Sequence, residues 1–343
     1  MGLKVIYAVL DWGLGHATRS IPVIDELRKR GHQIEIASHG NALSFLRRHY
    51  PEIRFHEMPD RDVTYGESGA FLSLITRALR QPAINSKQRS FFRVLAIRLK
   101  ADLVISDNVY GAQVDGVKSV LITHQLSLNL PFANRLINAR LAAWINRFDE
   151  VWIPDDPAIG LSGNLSTSSR VHVKKRHLGI LSRFSKTKVT ADYDYAAILG
   201  GPEPQRSIFE RKVAEAFSRL EGKKIIFRGS DKALPRDVEW INWISFGDGE
   251  SMAKAILASR FAVARSGYSS LSDLLVLNAR ALVVPTPGQT EQEYLAQRVH
   301  EKNWFATCPQ SELTAENILL AKSKTYHQVY PTQSELEKVL NSL

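Results

Sequence analysis

The sequence predicts an α/β protein with two doubly wound parallel sheets, and three observations point to this fold class. Short apolar runs bounded by turn residues alternate with amphipathic segments, which is the pattern of β-α-β units. The 343 residues are enough for about two domains of ordinary size. A stretch rich in Pro, Gly, Ser and Asn, residues 154–170, interrupts the alternation, as the start of an interdomain connection would.

The first half contains six apolar runs with the length and flanking residues of buried strands. After the first run, Ile21, Ile24 and Leu27 lie near one face of a predicted helix, and Gly31 can end that helix. Residues 1–170 are therefore predicted to form an N-terminal domain. Its predicted strands are 4–10, 33–38, 53–57, 102–106, 119–123 and 150–153.

The alternation resumes in the second half of the chain. Residues 171–325 are predicted to form a C-terminal domain of the same Rossmann-like type. A terminal helix, residues 326–343, follows and can pack back on the N-terminal domain. The C-terminal domain is predicted to have strands at 195–199, 223–228, 261–264 and 281–285, and helices at 206–220, 250–258, 268–277 and 290–302.

Composition excludes several classes of protein. The single cysteine, Cys308, has no partner for an intrachain disulfide. The apolar run before Asp11 is six residues long, too short for a signal peptide. No stretch of about 18 apolar residues predicts a membrane span. We therefore expect a cytoplasmic protein, with attachment to the inner face of the cytoplasmic membrane still open.

Charge is unevenly distributed along the chain. Residues 1–191 carry 27 Lys and Arg against 16 Asp and Glu, whereas residues 192–343 carry 18 against 19. A basic half favours an anionic partner, although a solvated basic surface would give the same count. Nucleic acid is not the expected partner, because the basic half contains no recognised nucleic-acid motif.

A glycine turn with a histidine, in the stretch DWGLGHATRS, follows the first predicted strand. It has the first two glycines of the dinucleotide fingerprint, Gly13 and Gly15, but Thr18 replaces the third, which disfavours a nicotinamide or flavin enzyme. His16 stands where a helix should begin, and a helix N-terminus keeps an imidazole neutral, as a general base must be. Asp11 is a second candidate base, or else a cap of the turn.

The predicted C-terminal domain has polar, glycine-bearing loops at three strand ends. In two tandem domains such edges would face each other across a ligand-binding cleft. Gly200 and Gly201 lead into a helix, where free backbone N–H groups can bind an anion. The other two loops contribute Arg265, Ser266, Gly267 and Asp273, and then Gln289, Thr290, Glu291, Gln292 and Glu293.

The order and spacing of these motifs resemble the inverting GT-B glycosyltransferases of the MurG type. This is the family of the bacterial N-acetylglucosaminyltransferase that makes lipid II, with plant galactolipid synthases as relatives. The resemblance covers nearly the whole chain. The family's Gly-Gly-His turn is matched by Gly13, Gly15 and His16, its Gly-Gly loop by Gly200 and Gly201, its Arg-Ser-Gly segment and acid by Arg265 to Gly267 and Asp273, and its last loop by Gln292 and Glu293.

The resemblance implies a GT-B fold and transfer of a sugar from a UDP-sugar to an acceptor hydroxyl. His16 would take the hydroxyl proton, and Gly13, Gly15 and His124 would lie on the acceptor side. No cofactor beyond the UDP-sugar substrate is implied, and no metal, since no Asp-x-Asp motif stands beside the loops. The implied donor contacts are Asp273 to the ribose, Gly200 and Gly201 with Arg265 to the diphosphate, Phe246 near the uracil, and Gln292 and Glu293 to the sugar.

Two other interpretations remain open. Nucleotide-sugar 2-epimerases share the two-domain architecture but need no large acceptor surface. A retaining transferase of the same fold is the second. Glu293 and Glu301 have a spacing similar to a retaining pair, but both fall in one predicted helix, the wrong place for that pair.

The acid-free tract 68–101 carries seven bases and suggests a role for a membrane surface. Phe91, Phe92, Leu95 and Leu99 fall along one side of a predicted helix, which could lie on an anionic bilayer. The alternative is that this side packs on the first sheet. Because similar enzymes often act on lipid acceptors, we expect peripheral membrane association and a lipid-linked acceptor.

Overall fold

The chain forms two compact units, each with one parallel sheet, which confirms the predicted fold class. The first unit is Met1–Leu181 with Thr332–Leu343, and the second is Ser182–Pro331. The computed structural model describes residues 2–59, 70–128, 134–201, 203–230, 240–332 and 334–343.

In the described part of the first unit, the sheet has seven strands. They are β1 Lys4–Val9, β2 Gln33–Ser38, β3 Arg54–Glu57, β4 Leu103–Asp107, β5 Lys118–Ile122, β6 Glu150–Ile153 and β7 Lys174–His177. All pair in parallel, in the order β3-β2-β1-β4-β5-β6-β7. The first six match predicted strands. β7 was not predicted, because its KKRH sequence is that of a polar edge strand, and it brings residues 171–181 into this unit.

The helices of the first unit cover both faces of this sheet. They are α1 Gly15–Lys29, α2 Gly40–His49, α3 Ala70–Leu99 and α4 Asn134–Ile145. On one face, Ile24 and Leu27 of α1 and Leu46 of α2 join Tyr7 of β1 in a buried core. This packing fixes the start of α1 above the end of β1.

The apolar side of α3 packs on the opposite face of the sheet. Phe92 and Leu95 are buried against Ile6 of β1, and Phe91 and Leu99 are partly buried beside them. The expectation that these four side chains face a bilayer is therefore wrong, because the sheet already covers them. Residues 68–69 of the tract, and the side chains of residues 70–80, lie outside the described part. Within the described ranges, every helix is too short or too polar to be a transmembrane segment.

The sheet described in the second unit has six strands. They are β8 Tyr193–Ile198, β9 Lys224–Phe227, β10 Ile241–Ile244, β11 Ser259–Arg265, β12 Ala281–Val284 and β13 Ala306–Thr307. Their order is β10-β9-β8-β11-β12-β13, again all parallel. The helices of this unit are α5 Gln205–Ser218, α6 Gly249–Leu257, α7 Tyr268–Leu277, α8 Thr290–Glu301 and α9 Ala315–Ser323.

The last helix, α10 Ser334–Leu340, belongs to the first unit. Its residues Leu336, Val339 and Leu340 enter the core of that unit beside Leu178 and Leu181. The chain therefore leaves the first unit after Leu181 and returns to it at Thr332.

Each sheet has a point where the strand order reverses. In the first unit it lies between β1 and β4, and in the second between β8 and β11. Loops leaving the carboxyl ends of such strands splay apart and leave room for a ligand. The Gly-His turn and the end of β4 meet at the first reversal point, and the loops after β8 and β11 meet at the second.

Candidate functional site

The Gly-His turn connects β1 to α1 as predicted. Gly13 has a φ of 71°, a left-handed conformation that favours glycine, and Gly15 is the first residue of α1. No side chain caps this helix start at Leu14. His16 therefore sits in the first turn of α1, at the carboxyl edge of the sheet.

His16 contacts an acid that the sequence analysis missed. Its Nδ1 lies 2.7 Å from Oδ1 of Asp107, the last residue of β4, which is fully buried. Two lone pairs cannot approach that closely, so a proton lies between the atoms, and Nδ1–H donates to the carboxylate. The Nε2 lone pair of His16 then remains to accept a proton, and no side chain of the described residues hydrogen-bonds to it.

Arg19, one turn further along α1, binds both oxygens of the same carboxylate. Its Nε donates to Oδ2 of Asp107 at 2.8 Å, and its Nη2 donates to Oδ1. Ser20 Oγ adds a donor 3.2 Å from Oδ2. Burial would raise the pKa of Asp107, but the charge of Arg19 and the hydrogen bonds from His16 and Arg19 outweigh it and hold that pKa well below its ordinary value. Asp107 is therefore a carboxylate at neutral pH.

The surroundings also keep His16 neutral. Burial lowers the pKa of the imidazole, the Arg19 guanidinium lowers it further, and Asp107 opposes both. The net direction is downward. At neutral pH the ring is therefore uncharged and can act as a base.

His124, which follows β5, joins this group of side chains. Its Nδ1 lies 3.1 Å from Nη1 of Arg19, and the residue is buried. The structure thus brings together His16 and His124, which the sequence suggested separately, and adds Asp107 and Arg19. The available sequence signal for Asp107 was its place at the end of a buried apolar strand.

Asp11, the second candidate base, caps a helix. Its Oδ1 accepts from the backbone N–H of Ala42 at 3.0 Å and its Oδ2 from that of Asn41 at 3.2 Å, both in the first turn of α2. A carboxylate that stabilises a helix start in this way is a structural cap. His16 is therefore the better placed base.

In the second unit, the Gly200–Gly201 turn follows β8 as predicted. Gly201 has a φ of 104°, and among the described residues, chain neighbours aside, a Cβ placed on either glycine would meet no atom within 4 Å. α5 begins at Gln205, shortly after the turn. The turn offers backbone N–H groups beside open space, as an anion site requires, whereas at the start of α5 the Glu203 carboxylate already accepts the N–H of Ser207 at 3.2 Å.

Arg265 lies at the end of β11 but its guanidinium is engaged within the unit. Nη1 donates to the carbonyl of Pro285 at 3.1 Å, and Nη2 donates to the carbonyl of Gln205 at 3.1 Å and to Oε1 of Gln310 at 2.5 Å. The group also stacks 3.9 Å from the centre of the Phe209 ring. Arg265 thus ties the start of α5 to β11 and β12 and leaves phosphate contacts to the backbone.

Behind the start of α5 lies a buried charge cluster that the sequence analysis missed. Glu210 accepts from Nε of Arg228 at 2.9 Å and also from Nη1 of Arg206. Arg206 Nε donates to Glu203 at 2.9 Å, just beyond the glycine turn. These ion pairs fix the first two turns of α5.

Asp273 projects from α7 and is half-buried. Ser182 Oγ donates to its Oδ1 at 2.5 Å. Burial raises the pKa of this carboxyl group to about 6, with Arg183 and Ser182 opposing the rise. Its charge therefore changes near physiological pH.

The last predicted loop is held by its own polar side chains. Gln292 Oε1 accepts from the N–H of Thr286 at 2.9 Å, and Gln292 Nε2 donates to Gln289 Oε1 at 2.6 Å. Glu293 accepts from the N–H of Gly288 at 2.9 Å. The remaining predicted residues lie nearby: Ser266 donates to the Gln292 carbonyl, Gly267 precedes α7, and Thr290 and Glu291 begin α8.

Phe246 lies in the loop between β10 and α6. Its side chain is 54% exposed, which is unusual for so large an apolar group. Asp248 follows it and caps α6 by accepting from the N–H of Ser251 at 2.8 Å. The ring is therefore accessible to a flat ligand at this edge of the sheet.

Two family models match the two halves of the chain. One described as glycosyl transferase family 1 matches residues 3–110, and one described as glycosyltransferase family 28 C-terminal domain matches residues 207–335. The first match contains the Gly-His turn and Asp107. The second contains most of the loops at the carboxyl edge of the second sheet.

Individual proteins agree with these matches. An uncharacterised glycosyltransferase of Methanosarcina mazei is 23% identical over 98% of this chain and 95% of its own length. Among solved structures, spinosyn rhamnosyltransferase SpnG complexed with thymidine diphosphate has a TM-score of 0.64 at 14% identity, covering 99% of this chain and 92% of its own. Acinetobacter baumannii MurG has a TM-score of 0.54 at 14% identity, covering 99% of each chain.

Proposed function

The chain is a glycosyltransferase with the GT-B fold, and we propose that it transfers a sugar from a UDP-sugar to an acceptor hydroxyl with inversion at the anomeric carbon. The observation that carries the proposal is the 2.7 Å contact between His16 Nδ1 and Asp107. It makes His16 a neutral, oriented base with its Nε2 lone pair left to take a proton.

In the proposed reaction, the acceptor oxygen forms a bond to the anomeric carbon as the bond from that carbon to the diphosphate breaks. The hydroxyl proton moves to His16 Nε2. Asp107 does not take the proton; it stabilises the imidazolium that forms. General-base assistance of this kind is worth roughly 10²- to 10⁴-fold in rate.

The departing diphosphate needs donors that are already in place. In this proposal the N–H groups of the Gly200–Gly201 turn supply them, and the dipole of α5 adds partial positive charge. Arg265 and the buried Arg206–Glu210 pair hold this helix start in position. We therefore assign Arg265 to supporting the phosphate site.

The proposed donor lies on the second unit, with its base on the exposed ring of Phe246 and its ribose on Asp273. Uridine is the first choice of nucleoside, and thymidine is the one to compare with it, because SpnG was solved with thymidine diphosphate. The loop that Gln292 and Glu293 stabilise would contact the sugar, through these side chains or through the backbone that they position.

The proposal is tested by screening UDP- and TDP-sugars for thermal stabilisation, since a ligand that binds the native state raises its melting temperature. The stabilising donor is then incubated with candidate acceptors, and the anomeric configuration of the product is read by NMR. Inversion is expected. A product with the configuration of the donor would establish the retaining alternative, and isomerisation of the sugar without transfer would establish the epimerase alternative.

Asp273→Ala is expected to weaken UDP binding by about 1 to 3 kcal/mol, the usual value of hydrogen bonds to a charged group. Because the pKa of Asp273 is raised to about 6, the carboxylate is protonated as pH falls through 6, and wild-type affinity should fall more than that of Asp273→Ala, in which only the UDP phosphate titrates. Calorimetric titration of UDP at pH 8 and pH 5 measures both effects.

A matched control for this measurement is Asp192→Ala, which removes an exposed acid of the same unit. At each of the two pH values, its affinity for UDP should equal that of the wild type. Equal UDP affinities for wild type and Asp273→Ala at pH 8 would contradict the ribose assignment.

Membrane association remains part of the proposal, but through the exposed side of α3. Val94 and Ile97 are 66% and 70% exposed there, and Lys87, Arg93 and Arg98 are exposed around them. Apolar side chains ringed by bases suit an anionic bilayer surface. A lipid-linked acceptor would bring the first unit to such a surface.

Replacing Lys87, Arg93 and Arg98 by Glu is expected to abolish sedimentation with vesicles that contain anionic lipid. Each base near the surface contributes about 1 kcal/mol, so wild-type binding should also weaken with salt. The control variant carries the same replacement by Glu at three exposed bases of the second unit, Arg211, Lys302 and Lys324. Equal sedimentation of the wild type with neutral and anionic vesicles would refute membrane association and favour a soluble acceptor.

A further inference from the structure

Arg19 occupies the centre of the group that surrounds the proposed base. Its side chain is 3% exposed and lies against both oxygens of Asp107, Nδ1 of His16 at 2.8 Å and Nδ1 of His124 at 3.1 Å. A guanidinium has five N–H donors in a rigid fork and no acceptor. Each hydrogen bond that Arg19 makes therefore requires a lone pair, and not a proton, on the accepting atom.

At His124 the consequence is direct. Because Arg19 can only donate, His124 Nδ1 must carry the lone pair, and the neutral ring holds its proton on Nε2. At His16, Nδ1 lies 2.7 Å from an acceptor, Oδ1 of Asp107, and 2.8 Å from a donor, Nη2 of Arg19. Because Nη2 already donates to that same Oδ1, we assign a proton to His16 Nδ1 as well, so that both N–H groups point at the carboxylate and the approach of Nη2 to Nδ1 is not itself a hydrogen bond. The two histidines are thereby held in opposite tautomers by one arginine and one aspartate.

The charged and titratable groups that face His16 come from each element around it. α1 supplies Arg19, β4 supplies Asp107, and His124 follows β5. On β1, the buried hydroxyl of Tyr7 faces the same carboxylate and stays protonated, since burial raises its pKa. Arg19 is thus the permanent cation of the group and opposes the gain of a second positive charge on His16.

We propose that Arg19 is a positioning residue that holds Asp107 as a carboxylate, fixes His16 and His124 in opposite neutral tautomers and keeps His16 uncharged between turnovers. The use made of this arrangement rests on the proposed function, in which His16 is the base. The arrangement itself is a property of the first unit and can be measured without donor or acceptor.

The test is long-range ¹H–¹⁵N NMR of the full chain with labelled histidine, with the two signals assigned from His16→Gln and His124→Gln variants. In the wild type at pH 7.5, His16 is expected to carry its proton on Nδ1 and His124 on Nε2. In Arg19→Met, His124 should lose its single tautomer, and the titration midpoint of His16 should rise by about one pH unit or more, since a neighbouring cation is removed.

Two further variants complete the test. Arg19→Lys keeps the cation without the fork, so the midpoint of His16 should return toward wild type while the His124 tautomer stays mixed. Arg28 is a surface arginine of the same helix, paired with Glu52. The variant Arg28→Gln should match wild type in the His124 tautomer and in the titration midpoint of His16. If Arg19→Met does not fold, the wild-type tautomers and the Arg19→Lys spectra still test the proposal.

The same tautomer on both wild-type histidines, or a His16 midpoint unchanged in Arg19→Met, would overturn the proposal. Failure of the proposed function has a different signature. A His16→Ala variant with normal turnover would remove the base role and leave the measured tautomers as they are.

Discussion

His16→Ala is expected to lower the rate of sugar transfer at least about a hundredfold, the lower end of what a lost general base costs. The reason is that no other described side chain at the Gly-His turn presents an oriented neutral base, since both oxygens of Asp11 accept backbone N–H groups of α2. The measurement is release of nucleoside diphosphate from the donor identified in the screen, at saturating donor and acceptor.

Donor binding serves as the internal control for this variant. The Gly200–Gly201 turn, Phe246 and Asp273 all lie in the second unit, so thermal stabilisation by UDP should stay at the wild-type value. His172→Ala, which removes an exposed histidine of the first unit, should keep full turnover. Turnover of His16→Ala within a few-fold of wild type would show that another group takes the proton.

The sheet architecture follows from the sequence because buried parallel strands are nearly continuous apolar runs. β7, β10 and β13 escaped prediction for the opposite reason: each lies at a sheet edge, where KKRH stays polar, INWI is short and mostly not fully buried, and AT is too short to show a period. The hydrophobic pattern of a sequence indicates which residues are buried, and the residues of edge strands are only partly buried.

The side of α3 that faces the sheet shows a different limit. An amphipathic helix has the same periodicity whether its apolar side meets a bilayer or a sheet, so Phe92 and Leu95 fitted both interpretations. Only the tertiary structure shows that β1 covers them and that Val94 and Ile97 remain exposed.

The candidate site was predictable where its residues share a local motif. Gly13, Gly15 and His16 belong to one turn, and the structure keeps them together. Asp107 is 91 residues from His16 in the chain, and the contact exists only because β4 pairs with β1. A single sequence carries no direct signal of such a pairing between distant residues.

Asp107→Asn is expected to lower the rate of transfer by about 10²- to 10⁴-fold, comparable with the loss for His16→Ala. The amide has nearly the shape of the carboxylate but no charge, so it neither stabilises the imidazolium nor guarantees a proton on His16 Nδ1. Because Asp107 raises the pKa of His16, the acid limb of the pH–rate profile should move to lower pH in this variant. The profile is measured from pH 5 to pH 9.

Measuring the stability of Asp107→Asn distinguishes a catalytic role of Asp107 from a merely structural one. The pKa of Asp107 is depressed in the folded state, so its stabilisation is present above the unfolded pKa and is lost as pH falls through the folded one. Asp107→Asn should therefore have a lower melting temperature than wild type at pH 7, and the difference between the two melting temperatures should narrow in acid. The variant should still be folded at the assay temperature. Asp115→Asn, an exposed acid nearby in sequence, is the matched control. Full turnover in a folded Asp107→Asn enzyme would contradict the role of Asp107, because the charge that the imidazolium requires would then be dispensable.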